Sequence, residues 1–194
     1  MKRIFCTLLA LVLCFGALIA LSACNGGNTD DGGDVTTTDD NGKDDITSPE
    51  APAGNKLYSN DDFSFAYPED WILKTGSVPI IADSDGSGNN ITVAYEPKTT
   101  IYKEMTMSSF SDLFKPALEA MGLTVSNVSI SQVKNSHGVE ITKMTYNAAN
   151  AAATMKQTIY CFDAGSSTYS VTVTEMVEDY AVVQTVFNTI YVLK

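Results

Sequence analysis

The composition of residues 25–55 decides which part of this chain can fold at all. In NGGNTDDGGDVTTTDDNGKDDITSPEAPAGN the only branched aliphatics are Val35 and Ile46, and eight acids stand against Lys43. Such a stretch cannot bury enough apolar area to offset the entropy lost on ordering it. It reads as a tether whose root-mean-square span is about 30 Å for a Gly-rich coil of this length, lengthened by charge repulsion. Folding is left to residues 56–194, and a segment of that length can bury a core without disulfides or metals.

The formal charge of −11 divides unevenly. Residues 1–24 carry only Lys2 and Arg3, the tether is strongly acidic, and residues 56–194 hold fifteen acids against nine lysines. A phosphate backbone is bound through Lys and Arg that release its counterions, so nucleic acid is excluded as a partner. The chain has one histidine and four cysteines, with Cys6 and Cys14 in the N-terminal apolar run. That leaves too few soft ligands for a zinc or iron–sulfur centre, and no cofactor is expected.

Met1-Lys2-Arg3 followed by the apolar run Ile4–Ala20, broken only by Thr7 and Gly16, has the layout of a secretory signal. It ends in Leu21-Ser22-Ala23-Cys24, which resembles the bacterial lipobox. The resemblance implies that residues 1–23 are removed and that the Cys24 thiol carries a diacylglyceryl group as the first mature residue. A plain transmembrane anchor has about the same length, but the small residues, the cysteine and the abrupt Asn25-Gly26-Gly27 fit cleavage better. Each buried methylene contributes about 0.8 kcal/mol, so two acyl chains hold a protein on a bilayer where one barely does. The expectation is a protein anchored to the cell membrane through Cys24, on its extracytoplasmic face. No apolar run after Cys24 is long enough to cross again. An Asp/Gly-rich tether directly after the cysteine resembles lipoproteins of Gram-positive bacteria.

Within residues 56–194, Phe63–Tyr67 alternates large and small residues as a half-buried strand does, and Pro68-Glu69-Asp70 ends it. Val78–Ala82 and Ile91–Tyr95 predict a hairpin across Asp83–Asn90. Ser109-Phe110-Ser111-Asp112 has capping-box spacing and opens a helix predicted over Ser109–Met121, with Pro116 kinking it or marking its effective start. Strands are predicted at Val125–Val133, Val139–Tyr146, Met155–Phe162 and Tyr169–Thr174, with the alternatives of helical turn and loop open for Asn147–Ala153. A C-terminal helix over Glu178–Ile190 is expected to bury Tyr180, Val183, Phe187 and Ile190. The sum is an α+β domain, an antiparallel β-sheet covered by helices.

Phe63-Ser64-Phe65-Ala66-Tyr67-Pro68-Glu69-Asp70-Trp71 resembles the F-x-F-x-Y-P-x-x-W signature of PsbP-like domains, the group that includes PsbP, Mog1 and bacterial DcrB-like lipoproteins. The resemblance implies an α/β/α sandwich over residues 56–194. It implies no activity, because the group's members are assembly, docking or accessory factors with unrelated partners.

Candidate sites are few. Asp83, Asp85 and Ser87, with Gly88 following, begin like a calcium loop, but Asn90 and Ala94 stand where an aliphatic and the bidentate Glu belong. A solvated hairpin loop is the simpler reading. The tether acids Asp30, Asp31, Asp34, Asp39, Asp40, Asp44 and Asp45 lack the fixed geometry of a tight calcium site. Cys161 shares strand parity with Met155 and Ile159 and reads as core; His137, in a Gly-containing turn, is too remote to serve as its base. Ser131-Gln132-Val133-Lys134 matches S-x-x-K but lies in a predicted strand without partner motifs. Glu69-Asp70 fall in a turn, and Glu178-Asp179 complement a helix dipole. Trp71, Phe63, Phe65 and Tyr67 are expected to pack the sheet. The functional expectation is a non-enzymatic, extracytoplasmic binding or accessory module with a possible protein partner at the cell envelope. The alternative is a lipoprotein that captures a small molecule or ion for a transporter.

Overall fold

A computed structural model describes residues 49–193. Cys24, the signal segment and most of the tether lie outside these residues. The strands are β1 (Asn55–Ser59), β2 (Phe63–Pro68), β3 (Ile72–Lys74), β4 (Ile80–Ala82), β5 (Asn90–Pro97), β6 (Thr124–Lys134), β7 (Glu140–Ala149), β8 (Thr154–Ala164), β9 (Ser167–Glu175) and β10 (Tyr191–Val192). Two short helices, α1 (Met107–Leu113) and α2 (Lys115–Ala120), precede β6, and α3 (Tyr180–Thr189) follows β9. All pairings are antiparallel: a seven-stranded sheet runs β3-β4-β5-β9-β8-β7-β6, and a three-stranded one β1-β2-β10. The architecture is α+β in the loose sense, mostly antiparallel sheet with few helices.

The large sheet is covered on both faces, as β8 shows residue by residue. Met155, Ile159 and Cys161 join a cluster with Phe110, Phe114, Leu118 and Tyr102 from the α1–α2 side. The alternate residues Tyr160, Phe162 and Ala164 join Phe63, Phe65, Trp71 and the buried valines of α3. One outer layer is therefore helical, while the other combines α3 with the small sheet. This departs from a sheet covered by helices alone.

Several local expectations are corrected. β2 is buried along Phe63–Tyr67 rather than half-buried, because β1 and β10 flank it and α3 packs against it. The helix is capped by Thr106, not Ser109: the Thr106 hydroxyl accepts from Ser109 N–H, and the Ser109 hydroxyl accepts from Thr106 N–H. The predicted single helix is two, joined at Phe114, with Pro116 in the first turn of the second, where its missing N–H is harmless. Pro79 shortens β4, since proline donates no ladder bond. Asn147–Ala149 extend β7, and Asn150 closes the hairpin by accepting from Ala152 and Ala153 N–H. In α3, Asp179 caps through Val182 N–H, which turns Val182, Val183 and Val186 inward and leaves Tyr180 66% exposed.

Candidate functional site

Five strand ends meet at one pole of the large sheet: the C-terminal ends of β5, β6 and β8 and the N-terminal ends of β7 and β9. The segment that follows β5 is pinned across this pole. Lys98 N–H donates to Ser166 O (3.1 Å) and Thr99 N–H to the Thr168 hydroxyl (3.1 Å). Gln132 Nε2 donates to Lys103 O (3.1 Å), and the Thr142 hydroxyl donates to Tyr102 O (2.9 Å). These side chains come from the predicted strands, but their shared task of holding a connecting segment is visible only when the strands are assembled.

Between this segment and the β6–β7 hairpin lies a cavity of about 400 Å³ lined by Tyr102, Lys103, Gln132, Lys134, Glu140, Phe162 and Asp163, among others. A second, of about 450 Å³, is lined by Lys103, Glu140 and Asp163 again and continues to His137, Val139, Tyr191 and Val192. The three shared residues make the two hollows one cleft, of a volume suited to small ligands. At its far end the His137 ring stands edge-on to Tyr191, centroids 5.5 Å apart.

Asp163 is the electrostatic centre. Its Oδ1 accepts from the Thr168 hydroxyl (2.7 Å), and its Oδ2 lies 2.8 Å from Lys103 Nζ and 3.7 Å from Lys98 Nζ. Burial alone raises the carboxyl's pKa, but the Lys103 ammonium and the Thr168 hydroxyl outweigh it and hold the group below its ordinary value. The hydrogen bond to Asp163 holds the Lys103 ammonium above its own ordinary value. No local sequence pattern joins this acid to its cations, which lie some sixty positions away.

The sequence-derived candidates are not brought together. Cys161 is 2% exposed and burial pushes its thiol far up, with the Glu96 carboxylate adding to the shift, so the buried-core reading holds. His137 sits in the turn after β6. Ser131 and Lys134 are on an edge strand. Asp83 and Asp85 are engaged by their own loop: Asp83 Oδ2 accepts from Asn89 N–H (2.8 Å) and the Ser87 hydroxyl, and Asp85 Oδ1 accepts from Ser87 N–H (2.8 Å). Among the described residues no group of three or more His, Cys, Asp or Glu is placed to hold a metal ion, and no helix is long and apolar enough to cross a membrane. Trp71, Phe63, Phe65 and Tyr67 are core residues, as expected.

No family model matches the chain, and no curated protein does. Among solved structures, it is similar to a protein from Bacteroides thetaiotaomicron at 12% identity and a TM-score of 0.46, covering 68% of this chain and 45% of that one. It is also similar to LpqN, a protein involved in cell envelope biogenesis of Mycobacterium tuberculosis, at 10% identity and a TM-score of 0.39, covering 72% of this chain and 91% of LpqN. The chain thus spans less than half the length of the Bacteroides protein.

Proposed function

We propose that this chain is an extracytoplasmic lipoprotein, anchored through Cys24, whose single domain is a PsbP-like, non-catalytic binding module using the cleft at Lys103 and Asp163. The anchor is supported by Leu21-Ser22-Ala23-Cys24 and the acidic tether, and the fold family by Phe63–Trp71. The observation that carries the binding role is the cleft itself. Gln132 and Thr142 in its walls serve internal hydrogen bonds, and Asp163 is engaged by two lysines and a threonine, an arrangement for holding shape and charge rather than for moving protons. Its volume favours the capture of a small molecule, so that reading stands beside a protein partner.

The test uses the full chain expressed in a bacterial host. Cys24→Ser should move the protein from the membrane pellet to the soluble fraction. Affinity capture from native membranes, read by mass spectrometry for proteins and small molecules, should yield a ligand that Lys103→Glu loses. A Cys24→Ser protein that stays in the washed pellet sinks the anchor, and a ligand held equally by Lys103→Glu sinks the cleft.

A further inference from the structure

Away from the cleft, one register row sets three reactive groups side by side. Asn147 on β7 lies directly opposite Lys156 on β8, and Lys156 directly opposite Glu175 on β9, so all three side chains leave the same face of the sheet. Opposed residues of such a pair hold their Cβ atoms about 5 Å apart, a gap that a lysine side chain spans. All three line one hollow of about 380 Å³, which Glu178, just ahead of α3, also lines.

The carboxylate of this row has one oxygen unserved. The Glu175 side chain is 1% exposed, and its Oε1 accepts from Asp179 N–H (2.9 Å). Its Oε2 is shut from solvent and receives no hydrogen bond; Lys156 Nζ stands 3.6 Å from it and 3.7 Å from Glu178 Oε1. A buried acceptor without a donor is costly and calls for an explanation. The ion pair alone supplies none, because at 3.6 Å it leaves the hydrogen bond unmade.

We infer that Lys156 and Asn147 join in an isopeptide bond, with Glu175 as the proton carrier. Glu175 Oε2 takes a proton from the Lys156 ammonium, which leaves both groups neutral and gives Nζ a free electron pair. Nζ then attacks Asn147 Cγ. The Nζ–Cγ bond forms and the Cγ–Nδ2 bond breaks; Glu175 passes its proton to the departing nitrogen, which leaves as ammonia, and takes up the proton that Nζ must lose. Nothing outside the three side chains is consumed. Glu175 ends as a neutral acid whose O–H can donate to the new amide carbonyl, so the unserved oxygen gains its partner. The described residues contain one cysteine, free and buried, so no disulfide ties their strands together. The isopeptide bond does, fastening β7 to β8.

The test is tryptic peptide mapping of the full chain by mass spectrometry. In the linked protein trypsin cannot cut after Lys156, so residues 144–194 stay in one peptide, lighter than its sequence mass by about 17 Da, the ammonia lost. Asn147→Ala, Lys156→Arg and Glu175→Gln should each restore the cut at position 156 and the full mass. Glu175→Gln does so with both reactants still in place, which a passive ion pair would not require. An unaltered chain that is cut at Lys156 into fragments of full mass overturns the inference, and that result needs no variant to fold. The same mass loss persisting in Lys156→Arg also overturns it, because an asparagine closing on its own backbone would then be its source. A link that forms fully in Glu175→Gln overturns the role given to that carboxylate.

Discussion

Replacing Gly165 by alanine should damage the fold far more than an exposed two-residue hairpin loop would suggest. Gly165 and Ser166 connect β8 to β9, with Ala164 in register with Ser167, and Gly165 has φ +53°. Alanine in that left-handed region costs roughly 1–2 kcal/mol. The site is also full: a Cβ on Gly165 would lie 2.9 Å from Asp62 Cγ and closer still to Asp62 Oδ1. Asp62 cannot retreat freely, because its Oδ2 accepts a 2.6 Å hydrogen bond from the Tyr169 hydroxyl. Breaking a hydrogen bond to a charged group costs about 1.5–3 kcal/mol. Together the two effects come to about 2.5–5 kcal/mol, and for a domain of this size each kcal/mol moves Tm by about 3 °C, so the melting point should fall by roughly 7–15 °C. Urea denaturation of the four members of a double-mutant cycle with Asp62→Ala provides the check. In the Asp62→Ala background the space is open and only the backbone cost of about 1–2 kcal/mol should remain. A Gly165→Ala cost near zero, or one identical in both backgrounds, would refute the reasoning.

Asn135 Nδ2 donates to Phe187 O (3.1 Å) and Ile190 O (2.7 Å) at the end of α3, while its Oδ1 accepts from His137 and Val139 N–H. Asn135→Asp keeps the acceptor, loses both donations and sets a carboxylate against two carbonyls; urea denaturation should show a loss of about 2–4 kcal/mol at neutral pH, partly recovered in acid. Asp163, with its carboxyl held below the ordinary range, contributes stability above about pH 4 that is lost as pH falls through the lowered native value, whereas Lys103, held above its ordinary value, loses its share only as pH rises past about 10. Melting curves of Asp163→Asn and the parent should therefore differ by a constant amount from about pH 5 to 8 and converge in acid. Cys161 should resist a thiol reagent in native buffer and react fully in denaturant; rapid native labelling would contradict its burial.

Much of the fold was legible because strand parity is a local property. Met155, Ile159 and Cys161 announced one face of β8, since parity depends on residues adjacent in sequence. What was not legible depends on partners far along the chain. Phe63–Tyr67 read as half-buried because no local pattern tells that β10, more than a hundred residues later, will lie beside β2. Tyr180 read as core because helical spacing fixes a stripe but not which stripe faces inward; that was set by Asp179 capping at Val182. The face of the sheet that bears Met155 and Cys161 also carries a row no hydrophobic pattern predicts: Asn90, Thr174, Gln157 and Tyr146 stand in register on β5, β9, β8 and β7, all at most 2% exposed. Tyr146 donates to Gln157 and Gln157 to Thr174, so these three polar residues earn their burial by bonding one another, while the Asn90 amide donates to Gly88 O. The cleft was hidden for the same reason as β10, its cations and its acid being local to nothing but the assembled pole.

The position of β1 has a mechanical meaning. The tether joins at Asn55, in register with Pro68, and β1 runs from there toward the turn at Asn60–Asp62, which touches the β8–β9 loop beside the cleft. Under the proposed anchoring at Cys24 and binding at Lys103, a pull between the two would act along the strand axis. Five consecutive register pairs, Asn55 to Ser59 against Pro68 to Ser64, would carry the load in shear, all resisting together instead of parting one at a time as in a zipper opened from its end. Rupture under such a load is governed by the rate of unfolding rather than by equilibrium stability. A load applied at Asn55 thus meets resistance in shear, and a circular permutant entering beside β10 instead would lose that resistance without losing the fold.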